Sequence, residues 1–213
     1  MHFREKLARR AKKAGITVSD DVNSRLEAFF DLLRRWNRKV SLTSLPVDDL
    51  GDEAIDRLLI EPLIALRYLP RSTRAVMDVG TGGGSPAIPL KVASPAISMR
   101  MVESKARKAA FLREVIRTLE LEDAAVESTR FEQLLSRPEL HEAVDVITMR
   151  AVRAEPKTLL GLQAFLKPGG LLFLFRSGTP VEASPAGSML VMRESHPLLP
   201  ALNSHLWVLE KVQ

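Results

Sequence analysis

The sequence predicts a doubly wound α/β fold, in which helices cover both faces of a mostly parallel β-sheet. Two observations lead to this prediction. From residue 75 onward, short apolar segments that are typical of buried strands alternate with amphipathic helical segments. Strands that alternate with helices at this spacing form parallel sheets through right-handed crossovers. The first strand also ends in a glycine-rich turn, the position where sheets of this class bind ligands.

Five segments are predicted as the parallel strands: AVMDV (75–79), AISMRMVE (96–103), AAVESTR (124–130), AVDVITM (143–149) and LLFLFR (171–176). The segments between them are predicted as helices: AIPLKVA, KARKAAFLREVIRTLEL, the short FEQLL turn and EPKTLLGLQAFL. Two further segments, SMLVMRE (188–194) and HLWVLEKV (205–212), have no helix-length connector between them. We therefore expect an antiparallel C-terminal strand pair, preceded by the Ser-, Pro- and Gly-rich loop SGTPVEASPAGS.

The N-terminal third is predicted to be helical. Residues 20–40 carry apolar side chains at helical spacing behind an acidic cap, and residues 1–14 are helix-prone. A second helical stretch begins at about Asp52. Pro62 lies inside it and lacks a backbone donor, which predicts a kink near Glu61. We expect residues 1–72 to form a helical extension packed on a domain of residues 73–213, in one compact unit.

Composition excludes several classes of protein. The chain is 46% hydrophobic and 27% charged, as expected of a soluble globular protein. No apolar region follows the charged N-terminus, and no apolar run is long enough to span a bilayer. There is no cysteine and the four histidines are scattered, so neither disulfides nor a metal site is expected. We expect a cytoplasmic monomer with no membrane partner.

The charge distribution favours a polyanionic partner. The net charge is +5, and basic residues cluster at 4–13, in RRWNRK and in ESKARKAAFLREVIR. A single cluster is typical of a solvated helix face, but three together indicate nucleic acid. The candidate RNA-binding residues are Arg34, Arg35, Arg38, Lys39, Lys105, Arg107 and Lys108.

The turn GTGGGSP after the first strand is the strongest candidate site. Gly80, Gly82 and Gly84 permit tight backbone geometry and let a ligand approach without a Cβ in the way. Glu103 ends the second strand, 19 residues beyond Gly84. A carboxylate at this position can accept hydrogen bonds from both ribose hydroxyls. The pattern therefore predicts a nucleoside-containing ligand.

Charge discriminates among such ligands. The turn lacks the Gly-Lys-Ser/Thr ending of a P-loop. NAD is disfavoured because Ser85 replaces a glycine and because Asp78 would repel a pyrophosphate. S-adenosylmethionine has a sulfonium, an ammonium and no phosphate, so an acid near the turn favours it. We therefore predict that Asp78 and the three glycines form part of an S-adenosylmethionine site.

Several motifs resemble, in order and spacing, those of the GidB/RsmG family. They are WNRKVSLTSL, VMDVGTGGGSPAIPL, ESKARKAAFLREV, STRFEQL and ITMRAV, and they lie within residues 20–176. The resemblance implies a Rossmann-like, S-adenosylmethionine-dependent methyltransferase that modifies guanine N7 in small-subunit (16S) rRNA. Its partner would be that rRNA or the small ribosomal subunit.

The resemblance also implies roles for individual residues. Phe131 and Glu132 would lie beside the adenine, and Arg150 near the methionine end of the cofactor or the substrate. Glu103 would bind the ribose. The full set of implied cofactor contacts is Gly80, Ser85, Glu103, Phe131, Glu132 and Arg150.

The sequence departs from the family pattern at its catalytic face. RLLIEPL stands where the family has a His-Asp-Ser-Leu segment, Ala87 replaces a glycine, Met149 replaces a serine, and RSG (176–178) replaces lysine-glycine. Two alternatives therefore stay open: the same fold acting on another substrate, or a non-catalytic RNA-binding or assembly protein. Because guanine N7 carries a lone pair and no proton, no general base is expected, and Arg150 is the candidate for positioning.

Overall fold

The sheet at the centre of the molecule has seven strands. The structure, a computed structural model, describes residues 2–151, 155–178 and 187–212. Most of the predicted SGTPVEASPAGS loop lies outside the described residues. The strands are β1 (Ala75–Val79), β2 (Ser98–Val102), β3 (Ala124–Glu127), β4 (Val144–Arg150), β5 (Leu166–Ser177), β6 (Leu190–Leu199) and β7 (Ser204–Lys211).

The strand order is β3-β2-β1-β4-β5-β7-β6. The first five strands pair in parallel. β7 pairs antiparallel with both β5 and β6. The α/β class and the antiparallel C-terminal pair are thus confirmed. The chain reverses its direction of winding between β1 and β4, which creates the crevice where such sheets bind ligands.

Eight α-helices accompany the strands in the described ranges. They are α1 (Phe3–Lys13), α2 (Asp20–Asn37), α3 (Asp52–Ile55), α4 (Glu61–Ala65), α5 (Ala87–Ala93), α6 (Ala106–Thr118), α7 (Phe131–Leu134) and α8 (Pro156–Leu162). None of the helices in the described ranges has the length and apolar character needed to cross a membrane.

β5 begins earlier than predicted. EPKTLLGLQAFL was expected to be helical throughout, but α8 ends at Leu162 and Leu166 already pairs with Val144. A register shift follows in β4. At Gly170 a Cβ would lie 2.8 Å from the carbonyl oxygen of Lys167, so only glycine fits there. Burial of the apolar end of the segment against the sheet outweighs its helical pattern.

The predicted kink near Pro62 takes the form of a π-helical turn. This turn, Asp56–Ile60, joins α3 to α4 without a break in the helical path. Pro62 has no amide hydrogen to offer the carbonyl of Leu58, four residues earlier. The hydroxyl of Ser85 donates to that carbonyl instead, with an oxygen–oxygen distance of 2.9 Å. The glycine-rich turn is thereby tied to the N-terminal helices.

The helical extension shares a core with one face of the sheet. Phe29 and Phe30 of α2 are fully buried in the same apolar cluster as Val76 of β1 and Phe111 of α6. Trp36 packs beside Phe111, with ring centroids 5.8 Å apart. Phe111 is fully buried and Trp36 is partly buried, and both rings pack within the protein.

Candidate active site

A cavity of about 840 Å³ opens at the carboxyl ends of the central strands. One wall is the glycine-rich turn after β1, and Glu103 lies after β2. The opposite wall comes from the loop of residues 42–45 and from α4. Arg150 and Phe175 complete the cavity from β4 and β5. The extension and the sheet thus both contribute to the cavity.

The three predicted glycines have different roles. All have positive φ angles: +74° at Gly80, +56° at Gly82 and +90° at Gly84. Gly80 and Gly82 line the cavity, as expected of a backbone that approaches a ligand. Gly84 is buried, and a Cβ there would lie 3.0 Å from Ile88 and 3.1 Å from Phe29. Gly84 therefore permits close packing of the turn against α2.

Glu103 holds the glycine turn in place. Its side chain is nearly buried, and Oε2 accepts a hydrogen bond from the amide of Gly82 at 2.8 Å. Oε1 accepts from the amide of Lys105 at 2.7 Å. Each carboxylate oxygen has a second lone pair, so both can accept a further hydrogen bond from the cavity. The same carboxylate can position the loop and bind a diol.

Asp78 lies behind the turn and does not line the cavity. It is 1% exposed, and Oδ1 accepts a hydrogen bond from the hydroxyl of Thr148. Among the described residues no donor reaches Oδ2. Burial raises the pKa of Asp78 to about 6, against the opposing effects of hydrogen bonds from Thr148 and Thr81 and of the charge on Arg150. Asp78 therefore acts on the cavity through its charge.

The raised pKa makes stability depend on pH. Because the folded state holds the Asp78 proton more tightly than the unfolded state, the stabilisation is present below about pH 4 and is lost as the pH rises through about 6. Asp78→Asn, which cannot ionise, should not show this loss. We expect the variant to gain about 3 kcal/mol over the wild type between pH 4 and pH 7, at about 1.4 kcal/mol for each unit of pKa. Urea unfolding at several pH values measures the difference, and a constant difference would contradict the burial of a titrating carboxyl.

Glu61 and Arg150 form a buried ion pair in the cavity wall. Arg150 Nη1 lies 2.6 Å from Glu61 Oε2, and the guanidinium stacks on Phe175 at 4.5 Å from the ring centroid. Burial lowers the pKa of Arg150, while Glu61 opposes this effect. Arg150 was predicted at this site from the family resemblance, whereas no role was predicted for Glu61. The signal for it was a carboxylate inside an otherwise apolar helical segment, RLLIEPL.

Ser85 lines the cavity, but its hydroxyl is engaged with Leu58. Phe131 and Glu132 do not line the cavity formed by the described residues. The Phe131 ring packs so closely on α8 that a Cβ at Gly161 would lie 3.0 Å from it. Glu132 is exposed. Their contact with an adenine base stays a prediction.

The predicted basic residues fall into two groups, one of which lines the cavity. Lys105 and Lys108 line it directly, and Arg107 is exposed beside them. On α2, Arg34 and Arg38 are engaged with Asp31 and Asp48. Arg35 and Lys39 are exposed and form no ion pair with any described residue. Their contact with phosphate stays a prediction.

The cluster at residues 4–13 is partly neutralised. Arg10 forms a two-point ion pair with the buried carboxylate of Asp56, with Nε 2.7 Å from Oδ1. Lys6 pairs with Asp52 and Arg4 with Glu27. Much of this charge therefore fixes α1 to the helices beneath it. Over the described ranges, the acidic and histidine side chains form no cluster suited to a metal ion.

Comparison with known proteins identifies a family for the chain. The family model GidB, described as rRNA small subunit methyltransferase G, matches residues 22–189. The Ribosomal RNA small subunit methyltransferase G of Xanthomonas axonopodis pv. citri is 37% identical, over 86% of this chain and 84% of its own length. The protein of the same name from Acetivibrio thermocellus is 30% identical, over 85% of this chain and 74% of its own.

Solved structures share the fold. A SAM dependent methyltransferase from Aquifex aeolicus superposes with a TM-score of 0.58 at 18% identity, covering 78% of this chain and 96% of its own. The antibiotic-resistance methyltransferase Kmr gives a TM-score of 0.51 at 17% identity, covering 71% and 93%. At these identities the likeness concerns the fold alone. Because the family model spans most of the sequence and the relatives match over most of their length, the chain belongs to the GidB family of small-subunit rRNA methyltransferases.

Proposed function

We propose that this protein transfers the methyl group of S-adenosylmethionine to N7 of a guanine in small-subunit rRNA. The observation that carries the proposal is the cavity at the β1/β4 crevice, in which the glycine turn and Glu103 lie on one side and Arg150 on the other. Membership of the GidB family supports both the reaction class and the rRNA substrate.

The residues present fit the methyl donor. Gly80 and Gly82 expose their backbone to the cavity, and the oxygens of Glu103 retain capacity for two ribose hydroxyls. The negative charge of Asp78 behind the turn favours a cationic ligand. S-Adenosylmethionine, when bound, supplies an electrophilic methyl group on its sulfonium.

The chain has to position the acceptor and need not activate it. Guanine N7 has a lone pair in the plane of the ring and no proton to lose, so in-line orientation is sufficient. Arg150 lies in the cavity wall with unpaired N–H groups that can hold the acceptor base. The base must leave its stack to reach the cavity, which favours a single-stranded loop over duplex RNA.

Arg35 and Lys39 provide a test of the RNA surface. The double variant Arg35→Glu/Lys39→Glu should bind rRNA at least about tenfold more weakly in 0.1 M salt and show a shallower salt dependence, because two phosphate contacts are lost. Its affinity for S-adenosylmethionine should not change. Arg71→Glu/Lys157→Glu, at two exposed residues outside the three basic clusters, carries the same change in net charge and serves as the control. Equal losses in the two variants would argue against a specific surface on α2.

The proposed reaction is tested with radiolabelled S-adenosylmethionine. The protein is incubated separately with naked small-subunit rRNA, small subunits and whole ribosomes, and the modified base is mapped. We expect label at N7 of one guanine. Failure to bind the cofactor by calorimetry while RNA binding is intact would favour a non-catalytic assembly protein. Label transferred only to a small molecule or protein would favour the other alternative.

We further propose that the protein acts as a monomer in the cytoplasm, where its proposed rRNA substrate is found. Sedimentation equilibrium at micromolar concentration should give the mass of a single chain.

A further inference from the structure

We propose that Glu61 recognises the Watson–Crick edge of the acceptor guanine and so determines the base specificity of the reaction. The inference rests on the proposed function, because it takes guanine as the methyl acceptor. It concerns a residue in the RLLIEPL segment, where the sequence departs from the family pattern.

Glu61 has a buried oxygen that lacks a donor. The residue is 1% exposed and lines the cavity. Oε2 is paired with Arg150, but no donor among the described residues hydrogen-bonds to Oε1. Arg57 Nη1, at 3.8 Å, is too distant for a hydrogen bond. Because an unsatisfied buried carboxylate oxygen is costly, this position calls for a ligand that donates hydrogen bonds.

Arg150 has hydrogen-bond donors that lack acceptors. Its Nε and Nη2 are buried and have no acceptor among the described residues. The stacking of the guanidinium on Phe175 and the ion pair with Glu61 fix its orientation. The two side chains therefore place a free acceptor next to free donors in the same wall.

The sheet order places this pair on the acceptor side. Glu103 follows β2 on one side of β1, whereas Arg150 ends β4 on the other side and Phe175 lies on β5 beyond it. Neighbouring strands are about 4.8 Å apart. A cofactor with its ribose at Glu103 and its chain along the glycine turn has Glu61 and Arg150 beyond its reactive end. The pair thus lies on the side of the cavity where the methyl acceptor is expected.

Guanine matches this arrangement and adenine does not. Guanine presents an acceptor, O6, beside two donors, N1–H and the N2 amino group. The acceptor O6 matches the donors of Arg150, and the two donors match the carboxylate of Glu61. Adenine has an amino group in place of O6 and an N1 without hydrogen, so it would place donor against donor and acceptor against acceptor. N7 lies next to O6 on the side away from N1. Recognition by Glu61 therefore leaves the N7 lone pair free.

The test compares guanosine with inosine, which lacks only the N2 amino group. An rRNA substrate is assembled with either nucleoside at the mapped position, and kcat/KM is measured for each. We expect the wild type to prefer guanosine about tenfold, the contribution of one hydrogen bond to a buried charge. In Glu61→Gln the preference should fall to about threefold, since a neutral acceptor gives about half the energy.

Two controls separate recognition from structure. Glu27→Gln removes a carboxylate of α2 that pairs with Arg4 and does not line the cavity, and it should keep the wild-type preference. Calorimetry should show unchanged S-adenosylmethionine affinity in Glu61→Gln. A purely structural role would lower kcat/KM for both RNAs by the same factor and leave their ratio unchanged.

Four outcomes would overturn the inference. They are equal use of guanosine and inosine by the wild type, an unchanged preference in Glu61→Gln, a loss of the preference in Glu27→Gln, and a tenfold loss of cofactor affinity in Glu61→Gln, which would assign the carboxylate to the cofactor. If Glu61→Gln is inactive with both RNAs, the inference is judged on the wild-type ratio of kcat/KM for guanosine to that for inosine. A wild type that methylates no guanine in any rRNA preparation contradicts the proposed function itself, and the inference falls with it.

Discussion

Gly82→Val is expected to lower S-adenosylmethionine affinity by about 100-fold, or about 2.7 kcal/mol. Gly82 has a φ angle of +56°, in the left-handed region that a β-branched residue occupies only with strain. To relieve the strain the turn must move. Movement would break the hydrogen bond from the Gly82 amide to Glu103 and displace the backbone that faces the cavity. Isothermal titration calorimetry measures the loss directly.

Gly15→Val is the matched control for this variant. Gly15 has a φ angle of +67°, and a Cβ there meets nothing within 4 Å. The same substitution therefore introduces similar backbone strain far from the cavity. We expect both variants to lose stability to chemical denaturation, and only Gly82→Val to lose cofactor affinity. Unchanged affinity in Gly82→Val would refute the assignment of the turn to the cofactor.

Arg10→Ala is expected to lower the free energy of unfolding by about 3 kcal/mol, because it leaves a buried carboxylate without its partner. Asp56 is 3% exposed and is held by two atoms of the Arg10 guanidinium. The same hydrogen bond raises the pKa of Arg10. Loss of the pair should also loosen α1 from the π-helical turn. Thermal and urea unfolding measure the change.

Arg9→Ala provides the comparison on the same helix. The Arg9 side chain is 57% exposed and approaches Asp52 only to 3.7 Å, so its removal should cost less than about 0.5 kcal/mol. Adding Asp56→Asn to Arg10→Ala should recover part of the lost stability, because the buried charge is then gone. Similar losses of unfolding free energy in Arg9→Ala and Arg10→Ala would show that the buried Arg10–Asp56 pair contributes little to stability.

Local patterns were sufficient for the sheet. β1, β2 and β4 are short, largely apolar runs, so their places follow from the sequence alone. The start of β5 was missed because the helical pattern of residues 155–166 ignores the pairing of Leu166 with Val144. Similarly, Pro62 marks an interruption, but the hydroxyl that replaces its missing donor comes from Ser85, far away in the chain.

The candidate site was predicted in part for the same reason. Gly82, Glu103 and Arg150 occupy motif positions at strand ends, where the fold brings them together. Gly84 was expected to contact the ligand, but only the packed structure shows that Phe29 lies against it. The only local signal for Glu61 was a carboxylate among apolar residues, because its partner, Arg150, is supplied by the end of β4. The role of the basic residues at 4–13 could not be predicted either, because the sequence does not show that Asp52 and Asp56 form ion pairs with them.

The hydrogen bond from Ser85 to Leu58 makes the two halves of the cavity mechanically dependent. Leu58 lies three residues before Glu61, so any displacement of the cofactor loop is transmitted to the helix that carries the base-recognition carboxylate. The order in which substrates bind then has a structural basis: a loop settled by the methyl donor also settles the wall against which the acceptor must fit. Ser85→Ala removes this hydrogen bond and with it the direct link between the glycine-rich turn and the helix that carries Glu61.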